Sequence, residues 1–211
     1  MATTNPNKAA EIRRLMLAAL GEAAADLCVV DARDLHLDAT LEDCATYAGN
    51  AEKKARLVAA ADPAAAVLAD DSGLEVVALG GAPGLLSARW VTDPGGRPLD
   101  GPGLNAALLR RMEGLPPGDR RARMVCAVAL LLPGGRLVQG WGEVHGVIAP
   151  DCRGTGGFGY DAVFLLSDGR RLSEVAPGIK DRLGHRGQAV GAVVPELRRW
   201  LRSEEVGIRS G

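Results

Sequence analysis

Aromatic side chains are scarce in this 211-residue sequence, which holds two Phe, two Tyr and three Trp. None of them is interleaved with the basic pairs Arg110-Arg111, Arg120-Arg121 and Arg198-Arg199, although proteins that bind single-stranded nucleic acids combine basic groups with aromatic platforms. The net charge of −1 adds no general attraction for polyanions. We therefore expect these arginines on solvated faces and no nucleic acid as a partner.

Long apolar runs and paired cysteines are also missing. No run approaches the roughly 18 residues that a membrane helix needs, and the N-terminus lacks the pattern of a secretory signal, so we expect a cytoplasmic protein with no membrane partner. The cysteines Cys28, Cys44, Cys126 and Cys152 form no C-x-x-C pair, which excludes the usual zinc and redox motifs. Buried, reduced thiols are expected instead.

Apolar periodicity predicts the first half of the fold. Asn5 is a good helix N-cap and Pro6 suits the first helical position, which predicts a helix over about 6–20. A second helical stripe ends near Asp62-Pro63, because the residue before a proline disfavours helix. Val67 to Ala69 is typical of a short buried strand.

The second half mixes helices and strands without a regular βαβ period. A helix is predicted from about Pro102 to Met112, and a closing helix is expected to begin at Pro195. Strands are predicted over 124–132, 137–141, 144–148 and 162–166, with a hairpin turn at 133–135. With 47% hydrophobic residues to form a core, we expect one α/β or α+β domain over residues 1–211 with a mixed sheet.

The first candidate site segment is the start of the first helix, composed of Thr3, Thr4, Asn5, Pro6, Asn7 and Lys8. Free backbone N–H groups and the helix dipole favour anions there, and the side chains add donors. The segment alone leaves a plain capped helix equally open.

The second candidate segment is Asp70-Asp71-Ser72-Gly73, which follows the predicted buried strand. Two adjacent carboxylates repel each other, and a cation would relieve that repulsion. Mg²⁺ takes one or two carboxylates together with substrate phosphate oxygens, and Glu42 could add another acid. The alternative is an Asx-turn after the strand.

The third candidate segment is the glycine-rich stretch 154–161. It contains G-x-G-x-x-G, but the residues after it indicate a strand and not the helix of a dinucleotide-binding fingerprint. Phe158 could stack on a base beside the acceptor Asp161. The alternative is that Phe158 and Tyr160 fill a core.

The fourth candidate segment runs from Lys180 to Gly187. It combines Lys180 and Arg182 with His185-Arg186 between glycines, which suits an oxygen-rich ligand. Taken singly, the histidine would be structural and the basic residues would be surface charge.

Five ordered motifs in these segments resemble the non-canonical purine NTP pyrophosphatases, also called inosine triphosphate pyrophosphatases. The resemblance spans nearly the whole chain. The matching motifs are T-x-N-x-x-K at Thr3–Lys8, A-D-D-S-G-L at Ala69–Leu74, G-x-P-G-x-x-S-A-R-[YW] at Gly81–Trp90, G-G-F-G-Y-D at Gly156–Asp161 and H-R-G-x-A at His185–Ala189.

The resemblance implies a role for each matching residue. Asp71 would be the catalytic proton acceptor and would hold Mg²⁺ together with Glu42 and Asp70. Substrate binding is implied for Thr3, Thr4, Asn5, Pro6, Asn7, Lys8 and Lys54 at the triphosphate, for Ser72, and for Phe158, Gly159, Tyr160, Asp161, Lys180, His185 and Arg186 at the nucleoside.

The resemblance also implies a fold and an activity. The expected fold is an elongated α/β structure in which a mixed sheet is flanked by helices, with two lobes, a substrate cleft between them and a homodimeric assembly. The expected reaction converts ITP, dITP or XTP to the monophosphate and pyrophosphate. A related enzyme acting on pyrimidine or modified nucleotides and a nucleotide sensor without turnover are the alternatives.

Overall fold

The structure, a computed structural model, describes residues 5–21 and 42–209, with side chains described up to Ser203. Within these residues the helices and strands follow one another in a mixed order. They are α1 (Pro6–Leu20), α2 (Tyr47–Ala61), β1 (Val67–Val76), α3 (Gly101–Arg111), β2 (Arg121–Leu131), β3 (Leu137–Ile148), β4 (Phe164–Leu165), α4 (Pro177–Leu183) and α5 (His185–Arg209). The strands lie in the order β1-β2-β3-β4 in one sheet, and β3 pairs antiparallel with β4. The expected α/β class is confirmed.

Local signals predicted the first helices correctly. The side chain of Asn5 caps α1 by accepting from the backbone N–H groups of Asn7 and Lys8, with Pro6 in the first turn. Thr46 caps α2 in the same way through the N–H of Gly49. Both helices therefore begin where a short polar side chain satisfies free N–H groups.

Strand β3 is one continuous strand, whereas the sequence predicted two short ones. Glycines interrupt its apolar pattern at 140 and 142 because α5 lies against the strand backbone there. A Cβ at Gly140 would overlap the carbonyl oxygen of Ala189, and one at Gly142 would overlap that of His185. Glycine inside a strand marks such a close approach and not a break.

Helix α5 begins at His185 and includes Pro195, so the prediction that Pro195 opens the closing helix is wrong. An interior proline costs about 3 kcal/mol or more. Burial of an apolar stripe along the helix outweighs that cost, and its members are Ala189, Val190, Val193, Val194 and Leu197. The strand predicted over 162–166 is reduced to Phe164–Leu165.

The chain divides into two compact units, which agrees with the expected two lobes. The first unit comprises the described residues up to Asp71 together with 126–142 and the chain from His185 onward. The second unit comprises 72–125 and 143–184.

The first unit has helices on both faces of its strands. Alternate strand residues pack on α1 and α5 on one face, namely Leu68, Cys126, Val128 and Leu130, and Leu132 just after β2 joins them. The intervening residues pack on α2 on the other face, namely Val67, Ala69, Ala129 and Leu131. This alternation follows from the two-residue period of a strand.

The second unit has its own core, built around Leu74, Leu108, Met124 and Phe164. Arg120 is buried at its edge and donates to the carbonyl oxygens of Met112, Ile148 and Ala149. The guanidinium therefore satisfies three backbone acceptors at the ends of a helix and a strand.

The three described cysteines are free thiols with different exposure. Cys126 is buried as expected, Cys44 is half-buried and Cys152 is exposed, so the expectation of buried thiols is wrong for Cys152. Cys28 lies outside the described residues. In the part of the chain that the structure describes, no helix has the length and apolarity to cross a membrane.

Candidate active site

Asp70 and Asp71 lie at the middle of β1, and their side chains point to opposite faces of the strand. Asp70 follows Leu68 onto the α1 and α5 face, and Asp71 follows Ala69 onto the α2 face. Neighbouring strand residues always alternate in this way. The two carboxylates therefore have different partners.

Asp70 belongs to a buried ion-pair network. Its Oδ2 accepts from Nε of Arg186 at 3.1 Å and lies 3.7 Å from Nζ of Lys8. Arg186 also donates from Nη1 to Oε2 of Glu11 at 2.9 Å. These two acids and two bases join β1, α1 and α5.

The network sets the charge state of its members. Burial alone would raise the pKa of Asp70, but the charges of Lys8 and Arg186 outweigh it and hold that pKa far below the ordinary value. Burial opposes the charged form of Arg186 too, yet Asp70 raises its pKa further. Both shifts favour the ionised forms of the two groups.

The structure places Arg186 inside this buried network. The sequence predicted a contact with the nucleoside, and in the structure the guanidinium is 1% exposed and donates to Glu11 and Asp70. The contact of Arg186 with the nucleoside stays a prediction. His185 is buried at the start of α5, and its role stays a prediction.

Asp71 has two partners from α2. Its Oδ2 accepts from Nδ2 of Asn50 at 2.8 Å, and its Oδ1 lies 3.6 Å from Nζ of Lys54. Lys54 also donates to Oε1 of Glu42 at 2.9 Å. Asn50, Lys54 and Asp71 are all buried.

Burial and charge act against each other at Asp71. Burial raises the pKa of Asp71, against the opposing charge of Lys54. Burial would lower the pKa of Lys54, but Asp71, Asp70 and Glu42 outweigh it and raise that pKa. Asp71 is therefore a more basic carboxylate than a solvated aspartate, beside a firmly charged ammonium.

The α2 face can accommodate a magnesium ion by the chemistry of its donors. Glu42 and Asp71 already share one cation, the Lys54 ammonium, and Mg²⁺ takes one or two carboxylates with phosphate oxygens. No group of three His, Cys, Asp or Glu side chains converges on one point within the described residues. Substrate oxygens would thus complete the coordination. Asp70, whose partners are basic, stays a prediction as a metal ligand.

The start of α1 contributes Lys8 directly to the Asp70 network. Asn5 uses its Oδ1 as the cap, accepting from Asn7 and Lys8 at 3.0 and 3.2 Å. Pro6 and Asn7 occupy the first turn. Thr3 and Thr4, predicted to bind the triphosphate, lie outside the described residues.

The second unit holds the glycine-rich loop in a defined conformation. Oδ2 of Asp161 accepts from the backbone N–H of Phe158 at 2.8 Å and from Nζ of Lys180 at 2.6 Å. Gly157 has φ 71° and lies so close to Asp161 that a Cβ on Gly157 would overlap the Asp161 carboxylate. The Lys180 ammonium also lies 4.9 Å from the centroid of the Phe158 ring. The structure thus brings together three predicted residues, Phe158, Asp161 and Lys180.

Tyr160 fills the core of the second unit, which was the alternative to a binding role. Its ring is 5% exposed and its hydroxyl donates to the carbonyl oxygen of Ser87 at 3.0 Å. Burial raises its pKa well above the ordinary value. Tyr160 therefore has a structural role in this core, and its predicted substrate contact stays a prediction. Gly159, next to it, accepts from Asn105 at 3.0 Å, and Ser72 lies half-buried in β1.

Asn50 belongs to this site, although it is not among the site residues that the sequence predicts. The signal was present, because Asn50 and Lys54 are polar residues on the buried stripe of α2 that also carries Tyr47, Ala51 and Ala55. Polar side chains on such a stripe need buried partners, and Asp71 is that partner.

Comparison with known proteins extends over nearly the whole chain. The model of the Ham1 family matches residues 1–196. The dITP/XTP pyrophosphatase of Mycobacterium tuberculosis strain H37Rv is 42% identical over 200 residues, which are 94% of this chain and 94% of that protein.

Two solved structures share the fold. The HAM1 protein of Coxiella burnetii has a TM-score of 0.76 at 30% identity and covers 94% of this chain and 96% of its own. The nucleoside-triphosphatase / dITP/XTP pyrophosphatase of Mycobacterium abscessus has a TM-score of 0.68 at 37% identity and covers 93% of this chain and 97% of its own.

Proposed function

The chain belongs to the Ham1 family, and from that premise we propose that it hydrolyses non-canonical purine nucleoside triphosphates such as ITP, dITP and XTP. The products are the monophosphate and pyrophosphate, so the enzyme cleanses the nucleotide pool. The observation that carries the proposal is Asp71, a buried carboxylate whose pKa is raised and which is held by Asn50 and Lys54. Curated relatives named dITP/XTP pyrophosphatases support the substrate class.

Asp71 accepts the proton of the attacking water in the proposed mechanism. The water oxygen forms a bond to the α-phosphorus, and the bond between that phosphorus and the bridging oxygen breaks. A carboxylate whose pKa is raised by burial is a better acceptor at neutral pH than a solvated one. The proton therefore moves to Asp71, and pyrophosphate leaves with the bridging oxygen.

Basic residues and magnesium offset the charge of the triphosphate. Bound magnesium, held by Glu42 and Asp71 with Asp70 as a predicted third acid, would neutralise phosphate charge and favour pyrophosphate as a leaving group. Lys8 and Lys54 supply ammonium donors to the phosphate oxygens. Positioning and charge neutralisation provide most of the rate in such transfers.

The glycine-rich loop of the second unit recognises the nucleoside. Phe158 offers a ring for stacking on the purine, and its conformation is held by the Asp161 and Lys180 pair. Backbone N–H groups of the loop suit the 6-oxo acceptor of hypoxanthine and xanthine, where adenine presents a donor. A mismatched buried donor costs roughly 1–3 kcal/mol, which favours ITP over ATP.

The proposal extends to assembly and location through the family. It includes a homodimer, as the resemblance implies, and a cytoplasmic enzyme, since nucleoside triphosphates are used there. Neither a nucleic acid nor a membrane is included as a partner.

A substrate panel tests the proposal. ITP, dITP, XTP, ATP, GTP and CTP are incubated with Mg²⁺, and pyrophosphate is detected separately from orthophosphate, with Asp71→Asn as the control. We expect pyrophosphate alone as the inorganic product and ITP ahead of ATP by about 100-fold in kcat/KM. Preference for CTP would favour the pyrimidine alternative, and binding without turnover would favour the sensor.

A further inference from the structure

Asn50 lies on the inner side of α2 and its side chain is fully buried. Its Oδ1 accepts from the backbone N–H of Cys44 at 2.9 Å, and its Nδ2 donates to Oδ2 of Asp71 at 2.8 Å. The amide therefore connects a backbone group before the helix to the carboxylate on β1. Both ends of the amide are used, as burial requires.

The partner on the Cys44 side determines which way the amide faces. A backbone N–H can only donate, so the atom that meets it is the amide oxygen. The NH₂ group must then face Asp71. A flip of the amide would set two donors against each other at Cys44 and two acceptors against each other at Asp71, and the observed orientation avoids both contacts.

Lys54 alone does not provide the same constraint. Its ammonium ends a flexible four-carbon chain, lies 3.6 Å from Oδ1 of Asp71 and donates to Glu42. The planar amide of Asn50 is anchored at both ends and lies closer. The plane of the Asp71 carboxylate is thus held chiefly from the Oδ2 side.

We propose that Asn50 is a positioning residue of the reaction, which orients the Asp71 carboxylate for proton transfer. This inference rests on the proposed function of Asp71 as proton acceptor. Asn50 itself contacts neither substrate nor water in the mechanism. It acts through Asp71, because a base displaced by about 1 Å can lose roughly 100-fold in rate.

Two substitutions of Asn50 separate positioning from packing. Asn50→Asp keeps the size and the bond from Cys44 but presents an acceptor to Asp71. Asn50→Ala leaves a cavity and an unsatisfied N–H at Cys44, yet places no repulsive group against Asp71. If Asn50 served packing alone, Ala would be the more damaging change, whereas positioning makes Asp the more damaging one.

The kinetic test uses ITP with MgCl₂ and purified full-length variants. We expect kcat to fall by about 100-fold in Asn50→Asp and about tenfold in Asn50→Ala, with KM for ITP within about twofold in both. Thr46→Ala is the matched control, because it removes the exposed cap of the same helix without touching Asp71. We expect Thr46→Ala to lower the urea midpoint of unfolding and to leave kcat unchanged.

A stability cycle gives a readout that does not depend on activity. Asn50→Asp should lower the urea midpoint, and combining it with Asp71→Asn should restore it, because the pair then bonds with donor and acceptor exchanged. Coupling between two contacting residues appears in such a cycle as a departure from additivity. The double variant should be stable and inactive.

The possible results separate the inference from the proposed function. Wild-type protein that releases no pyrophosphate from any purine triphosphate overturns the proposed function, and the inference with it. Active wild-type protein with Asn50→Asp within about threefold of its kcat overturns only the inference. A larger kcat loss in Asn50→Ala than in Asn50→Asp, or additive midpoints in the cycle, also overturns it.

Discussion

Lys54 lies 3.6 Å from Asp71 through its ammonium and Oδ1, and the same ammonium donates to Glu42 at 2.9 Å. Two carboxylates on different parts of the chain thus share one protein cation. This arrangement gives the α2 face of β1 a chemistry that the other face lacks, where Asp70 is paired with Arg186.

Asp71→Asn should abolish turnover and leave the protein folded. The amide keeps the size of the side chain but can neither accept the proton nor offer a charge to the metal. General bases contribute roughly 10²–10⁴-fold, so pyrophosphate release from ITP should fall by at least about 100-fold. Activity above about a tenth of wild type would remove Asp71 as the base, and a urea unfolding curve serves as the control for folding.

Asp70→Asn should chiefly lower stability. The substitution leaves the buried network with two bases, Lys8 and Arg186, and one acid, Glu11. Removing one member of a buried ion pair in this way costs about 3–5 kcal/mol. The measurement is the free energy of unfolding in urea. Asp168→Asn is the control, because Asp168 pairs with Arg170 on an exposed surface, and its unfolding curve should match wild type. Equal effects of the two substitutions would contradict the structural role of Asp70.

Glu42→Gln should raise the Mg²⁺ concentration needed for half-maximal rate by about tenfold, because one ligand carboxylate is lost while Asp71 remains. Metal titrations of ITP hydrolysis measure this directly. Glu52→Gln is the control, because Glu52 is another acid of α2 and pairs with Arg56 at 2.7 Å. This substitution should leave the titration unchanged. A Glu42→Gln titration that coincides with wild type would exclude Glu42 from the metal site.

Tyr160→Phe should change the response of stability to alkaline pH. Burial raises the pKa of Tyr160 in the folded protein, so its neutral hydroxyl stabilises the fold below the unfolded pKa of about 10. Above that pH the unfolded chain binds fewer protons, and stability falls by about 1.36 kcal/mol per pH unit. The difference in free energy of unfolding between wild type and Tyr160→Phe should therefore shift in favour of the variant as pH rises from 10. Parallel curves would show that the hydroxyl is not buried.

The thiols should react with alkylating reagents in the order of their exposure. Cys152 is exposed, so peptide mass spectrometry should find it labelled first. Cys126 is fully buried, and burial raises the pKa of its thiol to about 12, which suppresses the reactive thiolate. Cys126 should be labelled only when urea unfolds the protein, and early labelling would contradict its place in the core.

Sequence patterns predicted those features that depend on neighbouring residues. The Asn5 cap and Pro6 locate the start of α1, and the apolar run at Val67 locates β1. The motif around Asp71 located the proposed base. In each case the determining groups lie within a few positions of one another.

Features that depend on distant contacts were missed. Gly142 interrupts the strand pattern only because α5 packs against it, which no local window contains. Arg186 has a sequence neighbourhood typical of ligand binding, but its partners Glu11 and Asp70 lie far away along the chain. Asn50 needed the structure for the same reason, since Asp71 is 21 positions away.

Because the side chains of Asp70 and Asp71 point to opposite faces of β1, the site depends on the number of strand residues that precede them. A one-residue deletion between Val67 and Ala69 would exchange the faces of the two carboxylates, since strand side chains alternate with a period of two. Asp71 would then meet Arg186, and Asp70 would meet Asn50, each in the wrong setting. A two-residue change preserves the parity and shifts the pair along the strand. Insertions and deletions in this strand are therefore tolerable only in even numbers, a constraint that a substitution screen would never reveal.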